Sequence, residues 1–296
     1  MDILGQNEIW SFIDSKLVIQ EITTPTEVTS SCGHAVESYL DLAKKVAELQ
    51  FRNRDHVLLF RGQPREYTNT KGNTSLKPSI FRPEKHPSGS PLPPNTKPPD
   101  AAILNARFKI LGDAERKLVR TFPAANSHEG TRLKRQRILQ WAVLQHYEVC
   151  ATPLLDVTHS LRIAASFASL GTGGNAFIYV LAVPNLSGSV TASAEAGLQI
   201  LRLSSICPPI AVRPHIQEGY LLGEYPDIVN FDQKSCYPHH EIDFGRRLIA
   251  KFKFNPKKFW KQDAFPAVTK PALYPNADQD PFQIIAASIK ASIKHP

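Results

Sequence analysis

A disulfide scaffold is the first thing this sequence lacks. Its four cysteines, Cys32, Cys150, Cys207 and Cys236, lie far apart, and none belongs to a C-x-x-C pair. That spacing indicates neither a disulfide framework nor a zinc knuckle, and it suits a reducing cytoplasm. No apolar run approaches the ~20 residues of a membrane span. The opening stretch MDILGQNEIW carries Asp2 and Glu8 and has no basic segment ahead of an apolar run, so no signal peptide is expected. Three signatures are also missing. There is no G-x-x-x-x-G-K-[ST], no dinucleotide glycine fingerprint and no G-x-S-x-G elbow. The densest group of metal-ligating residue types is His239-His240-Glu241-x-Asp243. Adjacent histidines seldom share one metal with good geometry, and no helical H-E-x-x-H accompanies them. No metal is expected, and a metal-dependent nuclease stands as a rival testable with EDTA.

What is present supports a core of ordinary size. The chain has 296 residues, 42% of them hydrophobic and 21% charged, enough for one large domain. Its 24 prolines point to long loops. The net charge of +8 and pI of about 9.3 fit an anionic partner such as a dinucleotide or a nucleic acid; they fit a generic solvated surface as well.

The chain is organised around residues 145–169, QHYEVCATPLLDVTHSLRIAASFAS. Gln145, His146 and Tyr147 end a helical pattern over 134–147. Residues 154–158 read as a short buried strand carrying Asp156, and 160–169 as a small-residue helix that packs its backbone closely on a sheet. Polar groups at such a strand-to-helix corner are held still from both sides. The plainer alternative is that Asp156 and Ser160 cap the helix.

Around this centre, 16–22 and 56–60 read as strands, and 35–51 as an amphipathic helix. The second strand runs into Arg61-Gly62, placing a guanidinium at a strand end beside a glycine that lets a ligand or a turn approach the backbone. Residues 83–100 read as a surface loop and 101–122 as a long helix. The basic residues of 107–137 form either a solvated face or a surface for an anionic partner. Strands are expected at 176–183, 198–203, 210–212, 216–222 and 246–254, the last half-exposed by its alternation. Asp280 N-caps a closing helix at 281–292. Helices lead and strands dominate later, which argues a single α+β domain with a mixed or antiparallel sheet. Residues 1–55 form an N-terminal strand and helix extension on a core of 56–296.

Several short motifs occur in order: Phe60-Arg61-Gly62; Leu76-Lys77-Pro78-Ser79-Ile80-Phe81-Arg82; Gln145-His146-Tyr147; Thr152; Leu154-Leu155-Asp156-x-Thr158; Ala164 to Ala168; and Leu273-Tyr274-Pro275-Asn276-Ala277-Asp278. Together they resemble the FRG domain, a family named for its Phe-Arg-Gly tripeptide. Glu148 stands where that family usually has Gly, Pro153 where it has Arg, and Val157 where it has an aromatic; one extra residue lies between Tyr147 and Leu154. More remotely, the layout resembles the split sheet of the ADP-ribosyltransferase superfamily. Arg61-Gly62 matches its first strand end, Thr158 and the following helix its hydroxyl motif, and Gln217-Glu218-Gly219 the start of its acid-bearing strand.

These resemblances imply NAD as a substrate and transfer of ADP-ribose to a macromolecular acceptor, protein or nucleic acid, in the setting of a bacterial toxin or antiphage effector. Arg61, Thr158, Gln217, Glu218 and Asp156 are then the catalytic candidates. Arg61, Gly62, Gln145, His146, Tyr147 and Ser160 are the candidates for holding NAD. Tyr147 and Tyr179 are either stacking partners for nicotinamide or core. The alternatives are an NAD glycohydrolase and a non-catalytic module that binds nucleic acid or protein.

Overall fold

The computed structural model describes residues 9–13, 18–22, 24–83, 97–122, 128–171, 173–208, 210–239, 241–261 and 265–293. Residues 84–96, most of the expected loop, lie outside the described residues. Among the described residues ten strands occur in chain order: β1 Ile9–Ser11, β2 Gln20–Ile22, β3 His34–Ala35, β4 Val57–Gln63, β5 Leu155–Thr158, β6 Ala176–Val183, β7 Val190–Ser193, β8 Leu198–Arg202, β9 Gly219–Glu224 and β10 Leu248–Phe254. With the helices they make a mixed α+β architecture. The chain forms two compact units, each assembled from three segments: Met1–Leu76, Val157–Ser187 and Asp243–Leu273 in the first, and Lys77–Asp156, Gly188–Ile242 and Tyr274–Pro296 in the second. One of the chain junctions between them, Asp156 to Val157, falls inside β5.

In the first unit the strand order is β3-β10-β6-β4-β5. β3 runs parallel to β10, and the other neighbours are antiparallel. β6, AFIYVLAV, is the central strand, with Ile178 through Val183 fully buried. Its β-branched and aromatic content suits a position flanked on both sides. The helix Tyr39–Arg52 is N-capped by Ser38, whose hydroxyl accepts the Asp41 N–H at 3.2 Å, and it buries Leu42 and Leu49.

β10 differs from the half-exposed strand its alternation predicts. Six of its seven residues are buried, Lys251 among them. Lys251 Nζ pairs with Glu66 Oε1 at 2.6 Å and donates to Thr74 Oγ1 at 2.9 Å. The Asp243 carboxylate accepts from the Ser75 hydroxyl at 2.6 Å, the Leu76 N–H at 2.7 Å and the Gly245 N–H at 3.0 Å. The segment Glu66 to Leu76 thus supplies partners to the strand's polar groups, a tertiary contact that periodicity cannot report.

The helix Leu161–Ser169 lies on β4 backbone to backbone. A Cβ built on Gly62 would stand 1.7 Å from the Ala164 carbonyl oxygen and 2.9 Å from the Ala168 nitrogen. The small residues Ala164, Ala165 and Ala168, all fully buried, make that approach possible.

In the second unit β9-β8-β7 are antiparallel neighbours. The helix Ala101–Thr121, N-capped by Asp100, packs Leu104, Leu111 and Leu118 into a core shared with Leu139, Ala142, Phe282 and Ile289. The helical pattern over 134–147 divides into His128–Arg135 and Arg137–His146. The expected strand at 210–212 is absent; a short helix Val212–Ile216 takes its place. Pro214 suits that first turn, where its missing N–H forfeits no intrahelical bond. The closing helix runs Phe282–Ser292, and Asp280 does not cap it with its side chain.

All four cysteines are free. Among the described residues no helix is long and apolar enough to cross a membrane.

Gly62→Ala should destabilise the protein by about 3 kcal/mol or more, beyond ordinary overpacking, because the atom the methyl meets is backbone and cannot swing aside. Urea unfolding of the variant measures this, and a midpoint equal to that of the wild type would contradict it.

Candidate functional site

Arg61, Gly62, Thr158 and Ser160 belong to the first unit. Arg61 stands opposite Tyr179, which in turn stands opposite Lys251, so the three form one row on one face of β4, β6 and β10. Tyr179 is fully buried. Burial first, and then the Glu66 carboxylate, push its phenol well above the usual range, while Arg61 pulls the other way. Its ring is core, so the reading of Tyr179 as a ring available to nicotinamide is set aside. What approaches Gly62 is the helix backbone, which occupies the space a ligand would need on that face.

Thr158 stands opposite Phe60 and therefore shares its face, whereas Arg61, one residue on, projects from the other. The Thr158 hydroxyl accepts the Ser160 N–H at 3.0 Å, turning the chain into the helix. Ser160 is the N-cap residue, but its own hydroxyl makes no capping bond.

Gln145, His146, Tyr147, Asp156, Gln217 and Glu218 belong to the second unit. Gln145 Oε1 accepts from the Thr152 hydroxyl at 2.6 Å and the Ser79 hydroxyl at 3.1 Å, and its Nε2 donates to Asp156 Oδ2 at 2.6 Å. Ser79 Oγ in turn accepts the Thr152 N–H at 3.0 Å. Four separated motif positions are thereby joined in one hydrogen-bond chain, and the Asp156 carboxylate is engaged here as its acceptor end.

His146 is 3% exposed. Its Nδ1 lies 4.0 Å from Asp156 Oδ1, too far for a hydrogen bond. Burial, and then the charge of Arg213, lower its pKa well below 6.5, so the imidazole is neutral and the pair is no salt bridge. Gly219, which opens β9, packs against this ring: a Cβ there would stand 3.5 Å from His146 Cε1. Gln217 and Glu218 directly precede this glycine in the chain. Gln217 is buried and C-caps the helix Val212–Ile216. Glu218 has φ 45°, in the left-handed region that non-glycine residues adopt only at a cost.

A second acidic residue shares that conformation. Glu148, with φ 54°, follows the helix end at Tyr147, and its N–H donates to the Gln145 carbonyl at 3.0 Å while that of Val149 donates to Leu144 at 2.9 Å. This is a helix C-terminal cap in which glycine is the usual residue, which accounts for the position at which the sequence departs from Gly. The Glu148 carboxylate pairs with Arg213 Nη2 at 2.8 Å.

The Tyr147 hydroxyl donates to the buried Asp280 at 2.9 Å, and the Arg213 N–H donates to the same carboxylate at 3.0 Å. Burial first, and then Asp280, push the Tyr147 phenol far above its usual range. Tyr147, like Tyr179, is core. Nothing in the sequence singled out Arg213; its role comes from contacts with residues 65 and 67 positions away.

The basic residues divide: Lys134, Arg135 and Arg137 are exposed, whereas Arg107 reaches to backbone carbonyls. Arg107 Nη1 donates to the carbonyls of Ile80 at 2.7 Å and Arg82 at 2.6 Å, and Arg137 pairs with Glu115 at 3.4 Å. Among the described residues no group of three or more His, Cys, Asp or Glu is placed to hold a metal ion. His240 lies outside the described residues.

Residues 56–172 match the family model of the FRG domain, and over this stretch the chain is similar to that family. The closing segment Leu273 to Asp278 lies beyond the match. No curated protein matches the chain. No solved structure matches it either.

The neutral His146 gives stability a definite pH dependence. The unfolded imidazole takes up a proton as the pH falls through about 6.5, and the folded one does not. The unfolded state therefore binds more protons, and the stability that is complete above the unfolded pKa is lost as the pH falls toward and through the depressed folded value. Relative to His146→Phe, the wild type should lose stability with a slope approaching about 1.4 kcal/mol per pH unit below 6.5. Urea unfolding of both proteins at about pH 7.5 and pH 5.5 measures the difference; parallel profiles would refute it.

Proposed function

We propose that this chain uses NAD to place ADP-ribose on a macromolecular acceptor. The observation that carries the reading is Glu218. An acid is held in the left-handed region immediately ahead of Gly219, the first residue of β9, which packs against the neutral His146. Such backbone strain persists where the surroundings over-determine it, and it concentrates at functional positions. Further support comes from Arg61 near the end of β4 and from the ordered motifs of the FRG stretch.

The donor set suits the chemistry. A guanidinium binds a pyrophosphate through two parallel hydrogen bonds, the role assigned to Arg61. A carboxylate stabilises positive charge that grows at a ribose carbon as its bond to nicotinamide breaks, the role assigned to Glu218. Nicotinamide leaves with the bonding electron pair. The acceptor's nucleophile bonds to that carbon and gives up its proton. Thr158 and Gly62 position Arg61 by fixing β4 against the helix Leu161–Ser169, and Gln145 holds the Asp156 carboxylate through its Nε2. The acceptor is a protein or nucleic acid; water in its place would make the activity that of an NAD glycohydrolase.

Turnover of NAD labelled in its adenylate half, with and without a cell extract as acceptor, tests the reading. Arg61→Ala should abolish NAD consumption. Arg61→Lys should recover little, because an ammonium lacks the planar fork. Glu218→Gln should melt like the wild type and lower turnover by ~100-fold or more, while NAD binding weakens far less, since the carboxylate acts mainly in the transition state. Label on a macromolecule indicates transfer, and free ADP-ribose indicates hydrolysis. Full activity in Arg61→Ala would sink the NAD reading. A steep salt dependence of nucleic-acid binding without turnover would favour a binding module instead.

A further inference from the structure

Within the first unit a row of aromatic rings runs from the core to the surface. Phe254 and Phe259 are buried, with their ring centroids 4.1 Å apart. Trp260 meets Phe259 edge-on at 4.9 Å. Tyr39 stacks on Trp260 at 5.9 Å, with the planes 17° apart, and touches Phe265 at 5.3 Å. Phe265 ends the row and is 39% exposed.

The helix Leu161–Ser169 mounts the outer part of the row through three polar contacts. Trp260 Nε1 donates to Ser169 Oγ at 2.8 Å, the Val268 N–H to Ser166 Oγ at 2.9 Å and Arg162 Nε to the Pro266 carbonyl at 2.9 Å. Both serine hydroxyls commit their protons to carbonyls one turn back, those of Arg162 and Ala165, at 2.8 Å each. Their oxygens are thereby set to accept. The ring at the surface is held by Tyr39 on one side, and the chain just after it is pinned to the helix. A ring fixed in this way loses little freedom when another ring lies on it.

The charge that accompanies these rings is of one sign. Lys257 and Lys258 lie on the short helix Pro256–Phe259, capped by Asn255, directly before Trp260, and Lys261 directly follows it. All three are exposed. Among the described residues no carboxylate forms an ion pair with any of them. Three exposed lysines alone make a solvated face, and one exposed phenylalanine alone is ordinary. Here both occur in one nine-residue stretch, 257–265, built onto a rigid aromatic row.

That combination narrows the partner. It must bring a flat ring for Phe265 and negative charges for the lysines. An acidic peptide and an anionic lipid surface bring charge without the rings. Duplex nucleic acid brings charge, but its bases are already stacked on one another. A single strand brings one base and one phosphate in every unit, and its bases are open to stacking on an aromatic side chain. We propose that Tyr39, Trp260 and Phe265, with Lys257, Lys258 and Lys261, form a contact surface for single-stranded nucleic acid. Phe265 takes a base, Tyr39 and Trp260 support it from behind, and the lysines meet the phosphates. The surface is independent of the NAD reading.

The test is fluorescence anisotropy of the full chain with a labelled oligothymidylate of about 12 nucleotides. The comparison probes are an abasic strand of the same length, the corresponding duplex, a polyglutamate peptide and phosphatidylserine vesicles. The wild type should bind the oligothymidylate more tightly than any of the others. Phe265→Ala should weaken that binding at least ~5-fold and leave binding of the abasic strand unchanged, whereas Phe265→Trp should retain it. The triple variant Lys257→Gln/Lys258→Gln/Lys261→Gln should bind both strands more weakly. Its plot of log affinity against log salt should be shallower by about 2, the share of three phosphate contacts on a single strand. These lysines are exposed, so the triple variant should melt like the wild type and guards against a packing defect in Phe265→Ala. No binding by the wild type, equal binding of the abasic strand, or unchanged binding by both variants overturns the proposal. So does polyglutamate or vesicle binding as tight as that of the strand and lost in the same variants. NAD turnover enters none of these measurements, so failure here and failure of the NAD reading are separately visible.

Discussion

The first unit depends on a missing side chain. Only hydrogen at position 62 lets the Ala164 carbonyl come within 1.7 Å of where a Cβ would be, and everything next to that contact is positioned by it. With the helix Leu161–Ser169 pressed on one face of β4, the turn before it must be tight, and Thr158 makes it so by accepting the Ser160 N–H. The helix also settles the direction of Arg61. Gly62 and Phe60 face the helix, so Arg61 projects from the opposite face, in a row with Tyr179 and the buried Lys251. A guanidinium, a phenol kept protonated and a lysine paired with Glu66 share that face. The Phe-Arg-Gly tripeptide is thus a division of labour across a strand: an aromatic and a glycine for packing, and a cation for the other side.

In the second unit the equivalent constraint is a hydrogen-bond chain rather than a contact. Ser79, Thr152, Gln145 and Asp156 satisfy one another in a region where an unpaired polar group costs about 1–3 kcal/mol. Removing any one member leaves its neighbours short of a partner, which is why residues so far apart in the chain behave as a set. The two left-handed glutamates belong to the same region. Glu148 ends the helix that carries Gln145 and His146, and Glu218 ends the helix before β9. At Glu148 the ion pair with Arg213 helps to offset the conformational cost, and Arg213 is itself tied to Asp280. Strain at Glu148 therefore has a structural account.

Much of this was legible from residues alone, for identifiable reasons. The long apolar run of β6, the Asp100-capped helix at 101–121 and the small-residue helix after Thr158 follow from periodicity and side-chain size, which are local properties. β10 was misread because its partners, Glu66 and Thr74, lie more than 170 residues away in sequence; alternation marks which residues are polar, not whether another segment covers them. The strand reading of 210–212 missed a short helix because a run of three residues carries no period. Asp280 had the look of an N-cap, but its carboxylate is taken by Tyr147 and Arg213, which no window around Asp280 contains. The motif residues were found and their pairing was not. Gln145, His146 and Tyr147 read as candidates for holding NAD and Asp156 as a catalytic candidate, and the polar atoms of Gln145 and Tyr147 are committed inside the protein.

That commitment bears on where chemistry can occur. A residue whose donors and acceptors are already paired, and whose ring is core, serves a ligand only by giving up those partners. Gln145 and Tyr147 are therefore framework, and the same holds for Tyr179. The group that keeps chemical latitude is one whose conformation carries a cost, and Glu218 is of that kind. The Lys-Pro-Ser segment belongs with the framework, because Ser79 donates its hydroxyl to Gln145 and accepts the Thr152 N–H within the hydrogen-bond chain. Residues that the sequence marks by their chemistry are thereby spent on holding the unit together.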